Sequence, residues 1–185
     1  ALSAVRQLYK FLLAEGQVQA DPTHGQVGPR KQRSLPKTLS VAEVDKLIGA
    51  AARRAESGEG IEHFRALRLH CLIEMLYATG MRVSELIALP RAVLAGDARV
   101  LTIKGKGGRE RLVPLNPSAR AALDRYLAAV SAEGRVSSKW LFPSRSAEGH
   151  LTRQRLAQDL KLLAEEAGLD PVRVSPHVLR HAFAS

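Results

Sequence analysis

The sequence contains little cysteine, few aromatic residues and no long apolar segment. Its single cysteine, Cys71, excludes an internal disulfide framework and a cysteine-based zinc finger. Aromatic residues make up 4% of the chain, which argues against a protein that stacks single-stranded bases on aromatic side chains. The longest run of apolar residues and glycine, residues 47–52, is too short to cross a bilayer, and we recognise no secretory signal. We therefore expect a soluble, cytoplasmic protein.

Acidic residues are scarce relative to basic ones. Twenty-eight Lys and Arg against eighteen Asp and Glu give a net charge of +10 and an isoelectric point near 10.4. Such an excess favours a polyanionic partner, and duplex DNA held by its phosphates fits the low aromatic content best. A basic soluble protein without such a partner is the alternative. The apolar share of 45% is that of an ordinary globular protein.

Composition and periodicity divide the 185 residues into three parts. Residues 1–20 form an amphipathic helix, for which the rest of the chain offers no evident packing partner. Residues 21–38 combine three prolines and two glycines with basic residues, which is linker composition. The basic linker residues Arg30, Lys31 and Arg33 are candidate contacts to a phosphate backbone. Residues 39–185 form the main domain. Because the chain begins at Ala1 within a helical pattern, we expect a piece of a longer protein.

The main domain reads as mainly α with one small antiparallel β-sheet, an α+β class. Ser40 and Glu43 form a capping box, and later helix starts are marked by Asn116-Pro117, Thr152 and Ser175-Pro176. The remaining predicted elements are a helix over 62–79 with one buried stripe, a short helix over 83–89, a β-hairpin of 99–103 and 109–115, and helices ending near 130 and at 166.

Four residues at element starts and turns are candidates for phosphate chemistry. Arg82 precedes the short helix, Lys106 lies at the hairpin tip, and His177 and Arg180 share one face of the last helix. Arginine can grip two phosphate oxygens, lysine can protonate a departing oxygen, and histidine can share a proton near neutrality. Taken singly, each is more often a solvated surface residue. Three further basic residues flank the hairpin tip and are candidate DNA contacts: Lys104, Arg109 and Arg111.

Two nearby residues have ordinary explanations as well. His181 lies four residues after His177, but no third metal ligand is evident, so we expect a partly buried ring in a hydrogen bond. Glu85, one turn after Arg82, is either a surface acid or a carboxylate that orients the guanidinium.

Seven segments, taken together, resemble the tyrosine recombinase (phage integrase) family and, within it, the bacterial Xer recombinases. In chain order they are LSAVRQLYKFL, LPKTLSVAEVDKLI, LYATGMRVSELIALP, IKGKGGRERLVPL, LFPS, LTRQ and SPHVLRHAFAS. The resemblance covers essentially the whole chain. It implies that residues 1–20 are the last helix of an N-terminal core-binding (SAM-like) domain and that residues 21–38 are the interdomain linker. It implies a tyrosine recombinase catalytic domain that lacks its C-terminal part.

The resemblance also implies roles for particular residues. Arg82 and Arg180 would hold the scissile phosphate, with Glu85 supporting Arg82. Lys106 would be the general acid for the 5′-hydroxyl leaving group, and His177 would hydrogen-bond the phosphate. No metal or nucleotide cofactor is implied. The partners would be a duplex recombination site and sister protomers that form a tetramer on two sites.

The family's tyrosine nucleophile and second histidine or tryptophan would lie beyond Ser185. The tyrosines of this chain read as packing residues: Tyr9 on the first helix, Tyr77 just before a helix stop and Tyr126 on an exterior amphipathic helix. We therefore expect the chain to bind DNA without cutting it.

Other functions stay open. A basic RNA-binding protein is compatible with the charge, although no segment resembles an RNA-recognition motif. The chain could be a non-catalytic duplex-DNA-binding module, or an integrase of a phage or integrative element. A metal-dependent nuclease is disfavoured because the closest carboxylates, Glu43 and Asp45, point to different faces of one helix.

Overall fold

The computed structural model describes residues 2–26, 38–96, 99–104, 110–134 and 137–183. The chain divides into two compact units, Ala1–Pro36 and Lys37–Ser185. Helix α1, Leu2–Ala14, belongs to the first unit, and several of its apolar side chains are exposed, Leu8 and Phe11 among them. The basic linker residues Arg30, Lys31 and Arg33 lie outside the described residues, so the three-part division of the chain stays a prediction.

The second unit is mainly helical and contains one β-hairpin, as expected from the sequence. Its elements in chain order are α2 Val41–Ser57, α3 Gly60–Thr79, α4 Val83–Ile87, a 3-10 helix Arg91–Ala95, β1 Val100–Lys104, β2 Glu110–Pro114, α5 Pro117–Ala132, α6 Arg153–Glu166 and α7 Pro176–Phe183.

Side-chain caps fix the starts of three helices at the positions that the sequence predicts. Ser40 Oγ accepts the N–H of Glu43 (3.3 Å), and the Glu43 carboxylate accepts the N–H of Ser40 (2.8 Å), which completes a capping box. Asn116 caps α5 and Thr152 caps α6 by accepting a backbone N–H three residues later. Local hydrogen bonds therefore determine where these helices begin.

Helix α3 lies at the centre of the unit and packs against α2, α5 and α7. Every residue from 66 to 76 is buried, so the prediction of a single buried stripe was wrong. Arg68, His70 and Glu74 lie outside the predicted stripe of apolar residues and are buried as well. In the structure His70 Nε2 lies 3.6 Å from Glu74 Oε1, and these two buried polar groups face each other.

Tyr126 of α5 is part of the core. It has no exposed surface, its ring stacks on Phe142 with centroids 5.3 Å apart, and its hydroxyl donates to the carbonyl of Leu141 (3.1 Å). The packing role predicted for Tyr126 is confirmed, and α5 is amphipathic as expected, with Tyr126 on its buried face. Leu141 and Phe142, in the loop before α6, cover the buried face of α5 at Tyr126. The periodicity of the α5 sequence predicts that this face is buried but not which segment covers it.

The hairpin presents one face to the core. Leu101 and Val113 are buried directly opposite each other, and the next pair on that face is Ile103 with Arg111. Arg111 therefore points towards the body of the unit and not away from it. The tip residues Lys106 and Arg109 lie outside the described residues.

Trp140, the only tryptophan of the chain, anchors the loop before α6. It pairs with Pro90 in an isolated β-bridge, and its indole N–H donates to the carbonyl of Glu148 (3.0 Å). The Lys139 ammonium lies 5.0 Å from the ring centroid, and the His150 ring meets it edge-on at 4.9 Å. These contacts tie the loop to the segment that follows α4.

Candidate functional site

Arg82 is held at the turn between α3 and α4. Gly80 ends α3 in the left-handed conformation (φ 57°), and its N–H donates to the carbonyl of Leu76 (3.0 Å). A Cβ at Gly80 would lie 2.5 Å from a ring carbon of Phe183, at the end of α7. The missing side chain thus lets α7 approach the turn, and Arg82 follows as the N-cap residue of α4.

Helix α7 presents His177 and Arg180 on one face. Its N-terminus is capped by Ser175 Oγ, which accepts the N–H of Val178 (3.3 Å). Val178 and Leu179 are buried in the core, so the i, i+3 pair of His177 and Arg180 lies on the accessible side.

Arg82, His177 and Arg180 line a single cleft of about 460 Å³. The structure therefore brings together three of the four residues that the sequence singles out for phosphate chemistry. The other lining residues are Val83, Ser84, Arg153, Ala157, Ser175 and Pro176. None of the described residues that line the cleft is acidic, so its lining is strongly cationic. Such a cleft can bind an anion with several charge-assisted hydrogen bonds.

Arg153 is a cleft residue that the sequence analysis missed. It is the first residue of α6, directly after the Thr152 cap, and its side chain is exposed. The LTRQ segment contained the signal, since a cap residue followed by arginine places a cation at the helix start. Cations are electrostatically unfavourable at that end of a helix unless an anion is shared there.

Glu85 supports Arg82 from behind the cleft. Its carboxylate accepts the backbone N–H of Arg82 (2.9 Å) and the Arg82 guanidinium (3.0 Å). It also accepts Arg111 Nη2 at 2.7 Å, and only 11% of its side chain is exposed. Burial alone would raise the pKa of Glu85, but the hydrogen bonds from Arg111 and Arg82 outweigh it and lower the pKa to about 2. Glu85 is thus an ionised carboxylate that joins two arginines.

His177 and His181 contact each other at the mouth of the cleft. Their Nε2 atoms are 2.9 Å apart, so one ring carries the proton that the other accepts. The predicted hydrogen bond of the His181 ring is confirmed, but its predicted partial burial was wrong because the residue is exposed. Among the residues that the structure describes, no group of three His, Cys, Asp or Glu could hold a metal ion.

The remaining predicted site residues cannot be placed in this cleft. Lys106 and Arg109 lie outside the described residues, as does the side chain of Lys104, which ends β1. Arg111 is engaged with Glu85, and its contact with DNA stays a prediction.

Comparison with known proteins identifies the group to which this fold belongs. A model of the phage integrase family matches residues 37–185. The chain belongs to the phage integrase family. Its similar relatives include the tyrosine recombinase XerD of Bradyrhizobium diazoefficiens, 53% identical over 192 residues, and the tyrosine recombinase XerD of Rhizobium meliloti, 55% identical over 184 residues. Both matches cover all of this chain but only 60% and 58% of the relatives. The chain thus spans about three-fifths of their length.

Solved structures show the same fold as this phage integrase family member. The XerA recombinase superposes with a TM-score of 0.62 at 24% identity, covering 99% of this chain and 59% of that one. The XerH recombinase bound to palindromic difH substrate superposes with a TM-score of 0.66 at 24% sequence identity, and the match covers 86% of this chain and 44% of that one. A lambda integrase tetramer bound to a Holliday junction gives a TM-score of 0.63 at 18% identity, and the match covers 99% of this chain and 51% of that one. The expected fold is confirmed. Within the described part of the chain, no helix is long and apolar enough to cross a membrane.

Proposed function

We propose that this chain is part of a site-specific DNA recombinase that cuts and rejoins duplex DNA through a 3′-phosphotyrosine intermediate. The observation that carries the proposal is the meeting of Arg82, His177 and Arg180 in one cationic cleft. Membership of the phage integrase family and the XerD relatives support it. The tyrosine nucleophile and a second histidine or tryptophan ligand would come from sequence that follows Ser185.

The cleft would stabilise the charge that develops on phosphorus during attack. The two guanidinium groups of Arg82 and Arg180 would each hold non-bridging oxygens of the scissile phosphate, and His177 would hydrogen-bond one of them. Glu85 keeps the Arg82 guanidinium oriented before DNA arrives. Preorganised donors of this kind contribute about 10²–10³ each to the rate in other enzymes.

The reaction would be two balanced transesterifications. The tyrosine hydroxyl attacks phosphorus and passes its proton to His177 or to water, the bond from phosphorus to the 5′ oxygen breaks, and Lys106 donates a proton to that oxygen. The 5′-hydroxyl of a partner duplex then attacks the phosphotyrosine and returns a proton to Lys106, the bond from phosphorus to the tyrosine oxygen breaks, and the tyrosine takes up a proton as it leaves. Because the phosphoester bond is exchanged and not hydrolysed, no nucleotide is required as a source of energy. The arginines of the cleft would supply the positive charge that a metal ion supplies in other phosphoryl-transfer enzymes.

The partners and the cellular role follow from the same proposal. The substrate would be a duplex recombination site, and strand exchange would need sister protomers in a tetramer on two sites. The XerD relatives favour a role in resolving chromosome dimers during chromosome partition and cell division. The protein would then act at the nucleoid in the cytoplasm. The net charge of +10 suits such a polyanionic substrate.

The proposal is tested by trapping the covalent intermediate. This chain and a version extended at its C-terminus are incubated with a nicked recombination-site duplex and analysed on a denaturing gel. We expect a protein–DNA adduct from the extended version alone, and binding without an adduct from this chain. Binding without an adduct from either protein would favour a non-catalytic DNA-binding module.

We further predict that Arg82→Ala or Arg180→Ala in the extended version lowers adduct formation by about 10²–10³-fold, because each removes a donor to the developing charge. Arg120→Ala, which removes an exposed arginine of α5 outside the cleft, is the matched control and should cleave normally. Cleavage at the unaltered rate by either cleft variant would contradict the assignment.

A further inference from the structure

A second recess of the main unit is lined by four arginines. Its volume is about 370 Å³, and we call it the arginine pocket. The four arginines are Arg65 and Arg68 of α3, Arg145 of the loop before α6, and Arg155 of α6. None of them lines the cleft of Arg82, His177 and Arg180. The family resemblance assigned no role to these arginines.

The charges of the arginine pocket are not balanced. The Arg65 guanidinium contacts the Glu62 carboxylate, and Arg155 Nη2 lies 3.0 Å from Asp159. Of the residues that the structure describes, none places a carboxylate within ion-pair distance of Arg68 or Arg145. Four guanidinium groups are therefore accompanied by two carboxylates, which leaves two positive charges in excess around one recess.

Arg68 is the least expected of the four. It lies on the central helix α3 with 9% of its surface exposed, and its guanidinium carbon lies 6.0 Å from the centroid of the Phe64 ring. Burial lowers the pKa of its guanidinium. A buried arginine ordinarily has a carboxylate partner, since an unpaired buried charge costs folding free energy. Arg68 has the Phe64 ring and a longer-range attraction to Asp159, which Arg155 already pairs with, and the recess beside it is open to an anion.

The pocket and the cleft lie on two sides of the same helix start. Arg153, the first residue of α6, lines the cleft, and Arg155, two residues later, lines the arginine pocket. Duplex DNA carries one negative charge for about every 1.7 Å of its axis. A duplex whose scissile phosphate occupies the cleft therefore brings other phosphates close to the start of α6.

We propose that the arginine pocket binds one backbone phosphate of the same duplex, away from the phosphate that is cut. Arg68 and Arg145 supply the unneutralised charge, and Arg65 and Arg155 complete the rim. The pocket would fix the register of the DNA on the protein without taking part in bond cleavage. This inference rests on the proposed function for the identity of the ligand, a duplex.

Arg145→Gln and Arg68→Met test the pocket in different ways. Arg145 is exposed, so its replacement leaves the core intact, whereas Met keeps the apolar stem of Arg68 and removes its charge. Binding of this chain to a fluorophore-labelled synthetic duplex is measured by anisotropy at several salt concentrations. We expect either variant to weaken binding about 5–10-fold at low salt and to reduce the salt slope by about 1. Arg120→Gln, an exposed arginine outside the pocket, should leave the slope unchanged.

Thermal unfolding separates a ligand-binding role for Arg68 from a structural one. If the Arg68 guanidinium serves DNA binding, its unpaired buried charge destabilises the DNA-free protein. Arg68→Met should therefore unfold at the same or a higher temperature than the unaltered chain and bind DNA more weakly. A lower unfolding temperature together with an unchanged salt slope would overturn the proposal. Equal losses of affinity in Arg145→Gln and Arg120→Gln would overturn it too, because only the net charge would then matter.

Two further measurements identify the source of the phosphate and separate this inference from the proposed function. Inorganic phosphate is titrated into the DNA-free chain by calorimetry. Phosphate binding that Arg145→Gln abolishes, with an unchanged DNA salt slope, would make the pocket a free-anion site and overturn the proposal. If the extended version forms the adduct but both pocket variants bind DNA normally, the inference fails and the recombinase function stands. If the variants bind weakly and no adduct forms, the pocket stands and the recombinase function fails.

Discussion

Glu85 is the residue that connects the hairpin with the cleft. Its carboxylate accepts hydrogen bonds from Arg82 on one side and from Arg111 of β2 on the other. An arginine at an exposed turn would otherwise sample many rotamers, and ordering it at the moment of reaction costs free energy. Glu85 therefore acts as a positioning residue in the proposed reaction and not as a group that contacts DNA.

We predict that Glu85→Gln lowers adduct formation by the extended protein about 10–100-fold, because the neutral amide holds both guanidinium groups less firmly. Affinity for the duplex should stay within about twofold, which a general loss of folding would not produce. The matched control is Glu166→Gln, which breaks an exposed ion pair with Arg54 (3.2 Å). Unchanged cleavage by Glu85→Gln would show that the orientation of Arg82 does not depend on this carboxylate.

The low pKa of Glu85 also predicts how stability depends on pH. Hydrogen bonds hold the pKa at about 2 in the folded protein, whereas an unfolded glutamate titrates near 4.3. The ionised carboxylate therefore stabilises the fold fully above about pH 5, and this contribution disappears as the pH falls towards 2. It amounts to at most about 3 kcal/mol.

Urea unfolding of the unaltered chain and of Glu85→Gln at a series of pH values measures this contribution. The difference in unfolding free energy should be constant near neutrality and should shrink below about pH 4.5. A difference that persists undiminished at pH 2.5 would contradict the assignment of the low pKa to this group.

At the scale of elements, the close approach of α7 to the turn after α3 determines the cleft. Gly80 lies in the left-handed region (φ 57°), and the Phe183 ring occupies the space where its side chain would be. Two separate costs therefore apply to any larger residue: the backbone conformation and the overlap with the ring. Both act on the turn that places Arg82 beside His177 and Arg180.

We predict that Gly80→Ala lowers the unfolding free energy by about 2–4 kcal/mol, of which about 1–2 kcal/mol comes from the left-handed backbone. In a Phe183→Ala background the overlap is absent, so the same substitution should cost only the backbone part. Chemical denaturation of the four proteins in this cycle gives the two terms. Equal costs in both backgrounds would show that Phe183 does not press on this turn.

At the scale of the whole molecule, the excess of positive charge predicts a strong dependence of DNA binding on salt. Each phosphate that the protein neutralises releases condensed counterions. If the chain contacts about six phosphates, its affinity for duplex DNA should fall about 10³-fold between 50 and 200 mM salt. Anisotropy measured over this range checks the value. An affinity independent of salt would contradict a phosphate-dominated interface.

The sequence predicts the parts of this molecule that depend on neighbouring residues. Ser40, Asn116 and Thr152 fix helix starts through hydrogen bonds that span three residues, so they can be recognised without a structure. The full burial of α3 depends on contacts with α2, α5 and α7, which lie far away in sequence. For that reason apolar spacing predicted only one buried stripe on α3, and the burial of polar residues such as Arg68 and His70 was not foreseen.

In the candidate site, too, the features that depend on nearby residues could be predicted and those that depend on distant residues could not. The four residues singled out from the sequence stood at helix starts and at a turn, and the family resemblance supplied their roles. Three of them meet in the cleft, and Lys106 lies outside the described residues. The sequence does not predict the pairing of Arg111 with Glu85, because this pairing depends on the register of the hairpin. It also does not predict that Arg68, Arg145 and Arg155 meet in one pocket, because they lie on three separate segments.

The single tryptophan is an intrinsic fluorophore that reports on one local region of this molecule. Trp140 is fixed by its bond to Glu148, by Lys139 and by His150, and it lines neither the cleft nor the arginine pocket. Its emission will therefore report the detachment of the loop before α6 from the segment after α4. Fluorescence-detected unfolding should accordingly be paired with circular dichroism, which reports on the helices of the whole unit.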